Sequence, residues 1–405
     1  MKLTLLRIAT VLLLCTTAHA NCPPGDLNGD CRVDAADLAL FAHQWLTRLQ
    51  VPADLNRDGR VNGADLSLFA GQWRQTNCPI VINELLAHAH AEASDWIELH
   101  NTGTVPVHIG GWFLSDNKND LKRYEIAMGT TIGPHGYMVF YETTHFGNPL
   151  DPRTRKPFAF TENGEAAYLY SGEDKVFPNY LIEQPFGASE TGYSFGRYLT
   201  SLGTYDFVTM SKPTPGEANA YPRVGPLVIN EVMYRPAGNA DAEYMEILNI
   251  SGGPVTLFDF VAMEPWRLMD DSGIDLWFPA DPPVTLRAGE AILLIRSPTA
   301  MRQYSVPAGV RVFAWGPGKL DNAGGKLQLL KPGDVDEWGM RYWIEVDHVD
   351  YSDGSHGQRF PHGIDPWPIQ ADGFGFSLNR LIASRYGNDP NNWQAAIPTP
   401  GSAGD

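Results

Sequence analysis

A twelve-residue acidic pattern occurs twice near the start of the chain, as Asp26-Leu27-Asn28-Gly29-Asp30-Cys31-Arg32-Val33-Asp34-Ala35-Ala36-Asp37 and as Asp54-Leu55-Asn56-Arg57-Asp58-Gly59-Arg60-Val61-Asn62-Gly63-Ala64-Asp65. Oxygen-bearing side chains at positions 1, 3, 5, 9 and 12 of such a loop, with a backbone carbonyl at position 7, can wrap a hard cation that takes six to eight oxygen ligands. In the first copy Asp26, Asn28, Asp30 and Asp37 would ligate directly, with the carbonyl of Arg32 at position 7 and Asp34 acting directly or through water. The second set is Asp54, Asn56, Asp58 and Asp65, the carbonyl of Arg60, and Asn62. Two calcium ions are therefore the expected cofactor. The first loop carries more carboxylates, but its sixth position is Cys31 where a sharp turn favours a glycine such as Gly59, so both are expected to bind, the second being better formed. Acidic turns that merely cap helices would explain Asp37 and Asp65, but not the whole repeated set.

Each loop runs into a similar helix. Leu38, Phe41 and Trp45 in the first, and Leu66, Phe69 and Trp73 in the second, lie at i, i+3, i+7 spacing and predict one apolar stripe per helix, the two stripes packing on each other. Position 12 is Asp where the usual helix-loop-helix calcium hand has Glu, and no helix is evident before either loop. This duplicated loop-then-helix pattern resembles the dockerin type I module, over about residues 23–76. The resemblance implies a cohesin-like or cell-surface protein partner, bound through the helix faces, that attaches the chain to a scaffold. Positions 10 and 11 are Ala35-Ala36 and Gly63-Ala64, where the best-known recognition pattern has Ser-Thr, so the resemblance leaves the partner's identity open.

A second, longer repeat fills the rest. It begins with Pro79-Ile80-Val81-Ile82-Asn83-Glu84 and again with Pro226-Leu227-Val228-Ile229-Asn230-Glu231. Strand-like runs follow at Asp95 to Asn101 and Glu243 to Asn249, and each unit closes with Pro-Thr-Pro-Gly, at 213–216 and 398–401. Between these landmarks lie period-two runs at Tyr137 to Tyr141, Ala166 to Tyr170, Ala291 to Ile295 and Lys326 to Leu330, bounded by turn residues. Hydrophobic residues make up 43% of the chain and charged residues 19%, with Gly 40 and Pro 31, a mix that suits all-β domains. About seven short strands per unit point to two tandem antiparallel sandwiches of immunoglobulin-like architecture. The fold class is mainly β: two β-sandwiches preceded by a small helical module with a duplicated calcium loop. Ile82-Asn83-Glu84, Asp95-Trp96-Ile97-Glu98-Leu99, Gly111-Trp112-Phe113-Leu114-Ser115-Asp116 and the closing Pro213-Thr214-Pro215-Gly216 resemble the bacterial lamin tail domain. The second copy is similar at its start and close, and at Ser377-Leu378-Asn379-Arg380 against Ser194-Phe195-Gly196-Arg197, but departs at Trp266 to Asp271, read as part of a longer insertion. The expected organisation is a signal peptide at 1–20, a calcium module at 21–78, and sandwiches at 79–220 and 226–405.

Lys2 and Arg7 precede an apolar run from Ile8 to Leu14 and an Ala18-His19-Ala20 cleavage pattern, which reads as export; the run is shorter than a spanning helix needs, so no transmembrane span is expected in the mature chain. Cys22, Cys31 and Cys78 then remain in an oxidising compartment, with Cys22–Cys78 the expected disulfide and Cys22–Cys31 the alternative. A net charge of −17 without a basic stripe argues against nucleic acid as partner. Glu84 with Glu98, and Glu231 with Glu246, have the look of a glycosidase pair; recurrence at matching places favours a shared structural use such as anchoring a turn. His88 and His90 with His100 or His108 offer a zinc set, weighed below a surface role. Trp112, Trp266, Trp277, Trp315 and Trp343 are candidates for a sugar platform, weighed below core packing. The sequence thus predicts a secreted, non-catalytic attachment and interaction protein. The alternative is an accessory binder of polysaccharide, or a glycosyl hydrolase, in extracellular polysaccharide breakdown.

Overall fold

The computed structural model describes residues 23–28, 33–48, 50–73, 78–174, 176–177, 179–336 and 338–402. The expected signal peptide, Cys22, Cys31, Asp30 and Arg32 lie outside the described residues. Cys78 is buried, and the disulfide expected for it involves that undescribed Cys22. The described residues fall into two compact units, one reaching to Pro79 and including Thr102–Pro106, the other holding Ile80–Asn101 and everything from Val107 on.

In the first unit, helix α1 spans Ala35–His43 and α2 spans Gly63–Gly71. Each begins where its loop ends. Asp34 and Asn62 sit at the N-caps in extended conformation, and Asp37 and Asp65 return a carboxylate to the cap N–H, closing a capping box at each helix. Phe41 and Phe69 meet with ring centroids 5.2 Å apart and are buried with Val33, Ala53 and Val61 in one small core. The expected stripes do not bury as a whole: Leu38 is 39% and Leu66 38% exposed, and Trp45 and Trp73 are each 41% exposed. Both tryptophans lie just beyond the helix ends yet still pack on Phe41 and Phe69, at 5.8 and 5.9 Å between ring centroids, and Val33 and Val61 of the loops complete the core.

The second unit contains two sandwiches with one topology. In the first, a five-stranded sheet has the order Tyr205–Thr209, Phe195–Leu199, Ile80–Leu86, Trp96–Asn101, Tyr137–Tyr141, and the opposing sheet the order Tyr124–Glu125, Phe113–Ser115, Glu165–Tyr170, Leu181–Phe186. In the second, Trp393–Ala396, Ser377–Arg380, Leu227–Met233, Tyr244–Asn249 and Ala291–Ile295 repeat the first order, and Asp275–Trp277, Arg267–Asp270, Gly324–Val335 and Arg341–Ser352 repeat the second. Ile229, Ile247 and Ile292 from one sheet join Leu268, Leu327 and Val349 from the other in a single core. Tyr124 against Phe140 links the sheets of the first sandwich, at 6.1 Å between ring centroids.

Three features differ from the sequence expectation. Trp266 to Asp270 is no insertion: Arg267–Asp270 occupies the place of Phe113–Ser115, and Trp266 is buried as Trp112 is. The added chain is the hairpin Phe258–Asp259 with Glu264–Pro265 just before it. Second, Arg311–Ala314 extends the main sheet as a parallel neighbour of Ala291–Ile295. A crossover through the 3₁₀ turn Ala300–Gln303 makes that direction possible. Third, each sandwich has more than seven strands, because two-residue pairs such as Val107–His108 with Thr131–Ile132 are too short to show alternation.

The sandwiches clasp each other by polar contacts. Glu190 of the first receives Arg223 at 2.6 Å and Lys331 of the second at 2.5 Å. Tyr386 donates to Asp206 at 2.8 Å, and Ser201 bonds Asp389.

Candidate metal centre

The second loop is described in full. Asp54, at position 1, accepts the N–H of Asp58 at 3.1 Å and of Gly59 at 2.9 Å, which folds the loop back on its first residue. Gly59 has φ +81°, in the left-handed region where a side chain strains the backbone. Asp65, at position 12, is fully buried and accepts from Asn56 and Asn62 at 3.1 and 2.9 Å. Burial alone would raise its carboxyl, but the N–H groups of Asn62, Asn56 and Leu55 outweigh that and hold it below the usual range. Asn62, at position 9, is committed to the N–H of Ala64 at 2.8 Å. The first loop repeats this where described: Asp37 is fully buried and accepts from Leu27, Asn28 and Asp34, and Asp34 caps Ala36 at 2.8 Å.

The two halves also brace each other. Gln44, which ends α1, accepts the N–H of Ala53 ahead of the second loop at 3.0 Å, and Gln72, which ends α2, accepts that of Gly25 ahead of the first at 2.6 Å. Val61 and Leu46 complete the crossing through Leu46 N–H to the Val61 carbonyl and Val61 N–H to the Thr47 carbonyl, each 3.0 Å.

Asp37, Asp54 and Asp65 are thus buried acidic side chains, and among the described residues no Lys or Arg ion-pairs with them or with Asp58. A buried charge needs a counter-charge or a metal, and an all-oxygen donor set suits a hard cation. Asp54, Asp58 and Asp65 do not bring one oxygen each to within 4.8 Å of both others; among the described residues only Asp353, His356 and Asp365 reach that proximity. Asp58 is held instead by the Asn56 amide at 3.1 Å and the Arg60 N–H at 2.9 Å.

The trio missed by sequence reasoning is a loop staple. Asp365 accepts from Ser352, His356 N–H and Trp367 N–H, and Asp353 from Ser355 N–H and the His356 ring. It is scattered over thirteen residues without ligand-motif spacing, so nothing in the sequence marked it.

The paired glutamates lie on neighbouring strands in both sandwiches, beside a bulge that skips Asn83 in one and Asn230 in the other. Glu84 accepts from Ser194 at 2.5 Å and Thr214 Oγ1 at 2.7 Å, and Glu98 from Asn83 at 2.8 Å and the Gly216 N–H. Glu231 and Glu246 repeat this with Ser377, Thr399, Asn230 and Gly401. Each pair therefore holds the Pro-Thr-Pro-Gly segment that closes its sandwich. His88 bonds the Ser189 carbonyl and Thr191, while His100 stacks on Tyr137 at 4.4 Å, so these rings are used singly. Trp112, Trp266 and Trp315 are core residues, and Trp277 meets Trp343 edge-on at 89° rather than as a flat platform.

Comparison with known families supplies the assignment. Residues 24–71 match the dockerin type I domain and residues 74–179 the lamin tail domain. The chain carries a dockerin type I module followed by a lamin tail domain. Dockerin type I domains are calcium-binding modules that imply a cohesin-type protein partner, and proteins containing them are typically extracellular. No curated protein matches the chain. A solved structure similar to it is that of a DUF4876 family protein from Bacteroides thetaiotaomicron VPI-5482, 13% identical, covering 59% of this chain and 93% of that one at TM-score 0.30. The lamin tail match stops before Leu181–Phe186, Phe195–Leu199 and Tyr205–Thr209, which complete the first sandwich. The second sandwich repeats that domain's topology, bulge and carboxylate anchors. Among the described residues no helix is long and apolar enough to cross a membrane.

Proposed function

We propose that this chain is a secreted, non-catalytic attachment protein whose dockerin module, folded around two calcium ions, docks to a cohesin-type partner while the two sandwiches form its cargo. In the first loop the ligands are Asp26, Asn28, Asp30, Asp34, Asp37 and the Arg32 carbonyl. In the second they are Asp54, Asn56, Asp58, Asn62, Asp65 and the Arg60 carbonyl. When bound, each ion neutralises the carboxylates gathered in its loop and fixes where the following helix starts. The chain's own part is to present Asp37 and Asp65 at the first turn of each helix, so that loop closure and helix orientation are one event.

The carrying observation is the repeated acidic loop that buries Asp37, Asp54 and Asp65 with no Lys or Arg paired to them among the described residues, in a module that leaves Leu38, Trp45, Leu66, Leu68 and Trp73 exposed. Exposed apolar side chains along both halves of the module suit a protein-binding surface. Ala35, Ala36, Gly63 and Ala64 are exposed at the helix starts and leave the partner a smooth approach. Both carboxylate pairs being consumed by the closing turns supports the non-catalytic reading. The test is capture of the full chain on an immobilised panel of cohesin modules: binding with calcium, lost with chelator and weakened at least tenfold in Leu38→Asp with Leu66→Asp, is expected. Capture unchanged by chelation would overturn the calcium-dependent docking.

A further inference from the structure

Two carboxylates and an imidazole meet in the loop that follows strand Arg341–Ser352. Asp353, His356 and Asp365 each bring one donor atom to within 4.8 Å of those of the other two. The Nδ1 of His356 lies 2.9 Å from Asp353 Oδ1, and the His356 backbone N–H lies 3.0 Å from Asp365 Oδ2. Two donors held about 2 Å from one ion stand about 3–3.5 Å apart, so the imidazole and Asp353 already have the spacing of neighbouring ligands. The loop is shaped to return on itself: Gly354 has φ +81°, and a side chain there would meet the Trp367 carbonyl at 2.7 Å.

The surroundings hold these side chains as metal ligands are held. Asp365 accepts the Trp367 N–H on Oδ1 at 3.1 Å and the Ser352 hydroxyl and His356 N–H on Oδ2, and Asp353 accepts the Ser355 N–H at 2.8 Å. Outer bonds of this kind fix the direction in which a carboxylate presents its lone pairs. Among the described residues no Lys or Arg ion-pairs with Asp353 or Asp365. Asp353 is buried while His356 and Asp365 stay partly exposed, which leaves an ion a way in. A further polar group belongs to the cluster. Tyr234 is fully buried, and its hydroxyl has no hydrogen-bond partner among the described residues. Its ring packs on Tyr351 at 4.9 Å, and burial, followed by the charges of Asp372, Asp353 and Asp365, pushes its hydroxyl well up. A buried donor without an acceptor costs free energy, which the water shell of an ion beside it recovers.

The donor set selects the ion. An imidazole nitrogen with two carboxylates suits a transition metal of borderline softness, whereas calcium and magnesium take shells of oxygen alone. We propose that Asp353, His356 and Asp365 form a zinc site that clamps the loop 353–367 onto the end of the second sandwich. The hydrogen bonds that staple this loop then serve as the outer support of the ligands. The site lies outside the docking module and does not depend on it.

The experiment is calorimetric titration of zinc into the metal-stripped full chain in excess calcium, alongside His356→Gln and Asp353→Asn. Excess calcium keeps the acidic loops of the docking module from taking zinc. Zinc uptake is expected, weakened about tenfold or more in each variant. The His356 side chain is 26% exposed and its ring bonds only within its own loop, to Asp353 and Ser355, so His356→Gln keeps the sandwich folded. Zinc that binds the folded loop and not the unfolded chain also raises the melting temperature of the sandwiches, a reading that needs no variant. No uptake in excess calcium, uptake unchanged in His356→Gln, or a melting temperature unmoved by zinc overturns the proposal, while calcium-dependent capture by cohesin is unaffected either way.

Discussion

Glu98 and Glu246 show how one buried group sets a pH dependence. Burial pushes each carboxyl up to about 7, against the bonds from Gly216 and Asn83 in one case and from Asn230 and Gly401 in the other, with Glu84 and Glu231 adding like charge. A carboxyl raised in the folded state contributes stability that is complete below its unfolded value near 4.5 and is lost as pH rises through about 7. Within that window each site costs the fold up to about 1.4 kcal/mol per pH unit. Glu98→Gln, which does not titrate, is therefore expected to gain melting temperature relative to wild type as pH goes from 5 to 8, read by calorimetry at several pH values. A difference that shrinks with pH would contradict this assignment. The recurrence of the glutamates was legible in the sequence and pointed correctly to a turn anchor. Their partners were not, because Ser194, Thr214 and Gly216 lie more than a hundred residues from Glu84. The equivalent arginines diverge in the same invisible way: Arg380 is buried on Asp347 at 2.7 Å, whereas Arg197 stacks on Tyr205 at 3.8 Å.

At the scale of the element, each loop and its helix form one half of a pair that is completed only by the other half. Gln44 and Gln72 end one helix and cap the approach to the opposite loop. Replacing Gln72 with Ala leaves the Gly25 N–H without its acceptor, and a lost part-buried bond of this type costs about 1–2 kcal/mol. Thermal unfolding of the calcium-loaded chain is expected to show the module's transition lowered in Gln72→Ala, with that of the sandwiches unmoved. Equal stability to wild type would show the crossing bond to be dispensable. Ligand spacing made the loops and the helix starts readable, since Asp34, Asp37, Asn62 and Asp65, read as ligands, are also the residues that cap the helices. It gave no access to the crossing, and it overstated how far Leu38, Leu66, Trp45 and Trp73 are buried.

For the molecule as a whole, the strand order of the first sandwich reappears in the second, down to the skipped Asn83 and Asn230. The starts and closures of the two repeats revealed this duplication in the sequence. The middle did not, because the hairpin ahead of Trp266 shifts the count without changing the topology. The account rests on the leading module being assembled by two ions. Titrating calcium into the chelator-stripped full chain measures this directly: uptake of two ions per chain is predicted, falling to one in Asp37→Ala, one in Asp65→Ala and none in the double variant. No uptake by the wild type, or two ions retained after both substitutions, would contradict it.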